Sequence, residues 1–133
     1  MDKYFLIKSS EDVYFAIGKI IEASQDLEQE FKTYVNLLSI DMPNLEISTL
    51  NKLNEKLHTK GFVDDNLYKN LKDVISMRNY INHDFFLQQH SDYQILNEEL
   101  NKILYYIFEA NDVISNKIDE LKGNKIKRPT IFD

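Results

Sequence analysis

Along the first part of the chain, apolar residues recur at steps of mostly three and four: Val13, Ile17, Ile20, Ile21, Leu27, Phe31, Tyr34, Val35 and Leu38. That spacing gathers them on one side of a helix and predicts a helix over residues 10–38. Ser9 and Ser10 precede Glu11 and Asp12, a hydroxyl cap followed by acids in the first turn. Gly18 interrupts the run at a cost of roughly 1 kcal/mol against alanine, and is expected to mark a close helix crossing. Asp41, Pro43 and Asn44 break the pattern. Leu50, Leu53 and Leu57 then define a shorter helix, capped by Ser48 or Thr49 and stopped at Gly61.

Asp64 and Asp65 open a third helix whose apolar stripe is Leu67, Leu71, Val74, Ile75, Ile81 and Phe85. After a turn over Gln88–Ser91, Ser91 and Asp92 begin a fourth. Its apolar positions alternate steps of three and four through Tyr93, Leu96, Leu100, Ile103, Ile107, Ala110 and Ile114, a heptad seam. Ile118 and Leu121 continue it after a one-residue slip, and Gly123 ends it. Residues 1–8 form an arm and NKIKRPTIFD a short tail. The pattern is all-α: one domain over residues 1–133, its core in residues 10–121, expected as an up-down four-helix bundle.

Composition narrows the function. The chain has 133 residues, enough for one domain with its own core. It has no cysteine, which removes disulfides and thiolate metal sites and suits a reducing compartment. No apolar run approaches the roughly 18–20 residues that span a bilayer, and the first residues lack a signal-peptide pattern. The expectation is a cytoplasmic protein with no membrane partner. The formal charge is −6, so RNA binding requires a local basic site. No histidine pair has metal-ligand spacing, no phosphate-binding glycine loop occurs, and no cofactor is implied. Glu98, Glu99, Asp119 and Glu120 read as the solvated side of the fourth helix. Lys122, Lys125, Lys127 and Arg128 make a modest basic cluster near the tail.

One stretch departs from the amphipathic pattern: MRNYINHDFF, Met77 to Phe86. Arg78 and Asn82 fall on the apolar face of the third helix. A guanidinium cannot shed its charge, so a carboxylate, open water or a phosphate must face it. Asn79 and His83 are four apart and share a face. Arg78 and His83 stand about 140° apart around the axis. They meet on one ligand only if the arginine curls round, the helix distorts or a second chain closes the site. The plainer reading is an arginine paired with one of the 22 acids and a histidine at the surface.

Arg78-Asn79, three residues, then His83, late in a long helix of a small all-helical chain, resembles the motif of the HEPN domains. The likeness in layout spans residues 10–121, and the motif residues 78–83. It implies a homodimer whose two motif helices face across a cleft, and a metal-independent endoribonuclease leaving a 2′,3′-cyclic phosphate. On that reading Arg78 binds the scissile phosphate, His83 is general acid and base, and Asn79 orients or assists. Asn82, Phe85 and Phe86 would line the substrate cleft. The family supplies toxins of toxin–antitoxin pairs and antiviral systems, so RNA, an antitoxin or another protein are the partners implied. Other members are non-catalytic modules that bind a protein partner or a nucleotide. A subset of the family has tyrosine two residues after the histidine. Here Phe85 stands there and offers no hydroxyl for modification, and Asp84 adds negative charge beside His83.

Overall fold

The computed structural model describes Tyr4, residues 6–83 and residues 93–123; for residues 10, 81–83 and 93–96 it describes the backbone alone. The described residues form four α-helices: α1 (Ser10–Leu37), α2 (Leu50–Thr59), α3 (Asp65–His83) and α4 (Tyr93–Leu121), with a short 3-10 turn at Leu45–Ile47. There is no strand among the described residues. No described helix is long and apolar enough to cross a membrane.

The starts and stops follow local chemistry. Ser9 is extended, and its hydroxyl accepts the Asp12 N–H at 3.3 Å, with Glu11 and Asp12 in the first turn. Thr49 accepts the Lys52 N–H at 3.2 Å to start α2. The Asp64 carboxylate accepts the Leu67 N–H at 2.8 Å to start α3. Gly61 and Gly123 take φ of +83° and +76° just past α2 and α4, a conformation that costs glycine little.

The core is continuous through all four helices. Leu27, Phe31 and Val35 of α1, Leu50, Leu53 and Leu57 of α2, Leu71 and Val74 of α3, and Leu100, Ile107 and Ile114 of α4 are all but sealed from solvent. Each large side chain buried this way contributes roughly 1.5–3 kcal/mol. On α4, Leu104 joins the seam and Ile118 closes it. Leu121 is 46% exposed, so the expected extension past Ile118 stops one turn short. Gly18 is also not at a crossing: a Cβ there would meet nothing within 4 Å.

The helix directions differ from a strict up-down order. α2 and α3 are antiparallel, as Asn54 against Tyr68 and Asn51 against Lys72 show. α1 and α4 run the same way: Ile7 pairs with Asn97 before and at their beginnings, and Glu30 with Ser115 near their ends. An up-down bundle would set them antiparallel. The cause is the connection between α1 and α2. It turns at Ser39, where φ is +57°, and comes back beside α1, where the Lys32 ammonium donates to the Glu46 carbonyl at 2.6 Å. α2 therefore starts level with Glu28 and climbs again, its Leu50 N–H bonded to that residue.

Two polar residues sit inside the α4 seam. Asn97 and Asn101 are 7% and 2% exposed. The Asn101 amide oxygen accepts the Tyr4 N–H, and the Asn97 oxygen accepts the Ile7 N–H at 3.2 Å. Asn101 Nδ2 donates to the Asn97 carbonyl at 2.7 Å. These amides give the arm an acceptor for backbone groups that burial would otherwise strand. The Tyr4 ring then meets Phe108 edge-on at 5.1 Å.

Candidate functional site

Arg78 lies where α1, α3 and the start of α2 converge. It lines a solvent-open hollow of about 300 Å³ with Glu28, Thr49, Leu50, Asn51, Ile75 and Asn79. Its side chain is 24% exposed, and Arg78 Nη1 stands 3.9 Å from Glu28 Oε2. That is an ion pair longer than a hydrogen bond. The same Glu28 oxygen accepts the Leu50 N–H at 2.8 Å, which anchors the carboxylate at the start of α2. The anchor suits a negative charge, because the first amides of a helix carry partial positive charge.

Leu50 and Ile75 give the hollow an apolar floor, while Asn51 and Asn79 are exposed at its rim. Asn51 is held from behind. Its amide oxygen accepts from the Lys72 ammonium at 3.2 Å, and Lys72 also pairs with Glu55. Tyr68 donates its hydroxyl to the same Glu55 oxygen at 2.8 Å. The His58 ring stacks on Tyr68 with centroids 3.9 Å apart, and His58 Nε2 meets Asp65 Oδ1 at 2.7 Å. Hydrogen bonds from Lys72 first and Tyr68 second hold the Glu55 carboxyl below its ordinary 4.5. The hydrogen bond with His58 holds Asp65 below 3.8, and the bond to Glu55 raises Lys72 above 10.5. This surface network fixes the wall of α2 against α3 beside the hollow.

Arg78 and Asn79, expected as site residues, thus share one hollow. Asn82 and His83 belong to the last turn of α3 by their backbone, and their side chains lie outside the described residues. Phe85 and Phe86 lie outside the described residues as well. The sequence pattern did not single out Glu28. The available signal was its position between Leu27 and Phe31, an acid at the margin of the α1 stripe. Among the described residues, no group of three His, Asp or Glu side chains is placed to hold a metal ion. Of the four acids expected on the solvated side of α4, Glu98, Glu99 and Glu120 are exposed and Asp119 is half-buried.

What these observations define is an all-helical protein with a half-buried arginine at the mouth of a polar hollow. Set against known proteins, the chain matches no protein-family model, no curated protein and no solved structure.

Proposed function

We propose that this chain is a HEPN-type, metal-independent endoribonuclease, cytoplasmic and homodimeric, serving as a toxin or in antiviral defence. One observation carries the reading. Arg78 keeps a quarter of its side chain open to a polar hollow, beside Asn79, instead of being closed into the core. A fixed guanidinium at a solvent-open mouth is suited to a phosphate, which it can grip with a fork of donors and no proton exchange. His83 follows one turn beyond Asn79 on the same helix.

The chemistry assigned to these residues needs no metal. The substrate 2′-oxygen bonds to phosphorus as His83 takes its proton. The bond from phosphorus to the 5′-oxygen breaks, and that oxygen takes a proton from water, a proton that the protonated His83 replaces. Arg78 balances the charge gathering on the phosphoryl oxygens. The products are a 2′,3′-cyclic phosphate and a 5′-hydroxyl.

A second reading has its own support. Glu28 of the same chain already stands 3.9 Å from Arg78, which favours the plainer reading of an arginine paired within its own bundle, and with it a HEPN-like module without catalysis that binds a protein partner or nucleotide elsewhere. Cleavage of varied RNAs in excess chelator separates the two. The nuclease reading expects cyclic-phosphate ends. It also expects a loss of about a hundredfold or more in Arg78→Ala and His83→Ala, with both variants still folded. No cleavage by the folded wild type selects the binding module. An Arg78→Ala chain that unfolds would make the arginine structural.

A further inference from the structure

Three features of the hollow belong together. The Glu28 carboxylate takes a backbone N–H at 2.8 Å, faces a guanidinium at 3.9 Å and is itself only 19% exposed. An amide donor and an arginine converging on one oxygen are what an anion-binding site offers to a phosphate or carboxylate. Here the anion belongs to the chain. The guanidinium has no shorter ion pair among the described residues, and the remaining lining groups, Thr49, Asn51 and Asn79, are uncharged.

We propose that Glu28 is a built-in competitor for the phosphate that Arg78 binds: it occupies the anion position at rest and must be displaced, or outcompeted, when RNA enters. The inference rests on the use of Arg78 as a phosphate ligand set out above. At 3.9 Å the pair is close enough to keep the arginine in place and neutralise it, yet lacks the short paired bonds of a bidentate contact. A site with one negative and one positive side chain carries no net charge, so it does not collect stray anions. A phosphate that brings further contacts along an RNA chain can still replace the carboxylate. The device keeps a potential nuclease idle until a long substrate is seated.

The test uses the full chain and a labelled RNA oligonucleotide made uncleavable by 2′-O-methylation, so it is independent of whether cleavage occurs. Glu28→Gln keeps an oxygen for the Leu50 N–H and removes the charge. It is expected to bind the RNA about fivefold more tightly than wild type, the worth of one half-screened ion pair. The dependence of log affinity on log salt should steepen by about 0.7, as one more phosphate is neutralised on a single strand. Adding Arg78→Gln should erase both gains. Equal or weaker binding by folded Glu28→Gln overturns the proposal and makes Glu28 a positioning residue for Arg78. A wild-type experiment covers a variant that fails to fold. Titration of wild type with the 2′-O-methylated RNA should shift the Leu50 amide resonance as the carboxylate leaves, and an amide that stays put at saturating RNA overturns it equally. Cleavage without tighter Glu28→Gln binding sinks this inference alone, and tighter binding without cleavage sinks the nuclease alone.

Discussion

At the scale of single residues, Asn101 departs furthest from what the heptad pattern suggests. It occupies the α4 seam, 2% exposed, because the arm needs an acceptor there. Asn101→Leu would suit the seam by hydrophobicity and leave the Tyr4 N–H without its partner. The expected cost is about 1–3 kcal/mol, seen as a melting temperature lower by several degrees. Faster hydrogen exchange at Tyr4 and Ile7 would accompany it. Asn116→Ala, exposed on the same helix, should move the melt by less than about 0.5 kcal/mol. Arg78 was legible as a residue that needs a partner, since a guanidinium on an apolar stripe has few alternatives. Which acid faces it was not, because Glu28 is 50 positions away and local pattern says nothing about which helices meet.

Among elements, the pairing of α2 with α3 is rich in polar contacts, and its pH dependence has a definite sign. Glu55 is held below its ordinary 4.5 when folded, by Lys72 and then Tyr68. Its contribution is therefore present above pH 4.5 and fades as the pH falls through the lowered value. Asp65 acts in the same direction from 3.8. Lys72, raised above 10.5 by Glu55, contributes fully below that pH and loses its part above it. Urea midpoints for wild type and Glu55→Gln should consequently differ more at pH 7 than at pH 3. A gap that is unchanged between the two would mean the network adds nothing to stability. Thr49→Ala, which removes the cap of α2, should cost about 1 kcal/mol in the same titration. The helices were readable because caps and breakers act over three or four residues: Ser9, Thr49, Asp64 and Gly61 all perform as their chemistry suggests. The direction of α2 was not readable. It depends on a connection folding back along α1, and the Lys32 to Glu46 contact that marks it has no local signature.

For the whole molecule, the proposed dimer gives a direct prediction. If Arg78 of one copy serves a phosphate beside His83 of the other, mixing Arg78→Ala with His83→Ala protein should restore part of the cleavage that each lacks. Failure to recover any activity, with mixed dimers formed, would place both residues of a site on one chain. A different consequence comes from α1 and α4 lying side by side in the same direction. The arm and α1 meet α4 across 85 to 97 positions, whereas α2 and α3 meet across 7 to 21. Closing the longer loops costs more chain entropy, so the α2–α3 hairpin should form early and the α1–α4 seam last. Leu53→Ala in α2 is then expected to slow folding, while Ile114→Ala in α4 mainly speeds unfolding; both side chains are fully buried. On the ribosome the same order means that α1 waits, its apolar flank uncovered, until the final helix has been synthesised, and that interval is when the nascent chain would gain most from a chaperone.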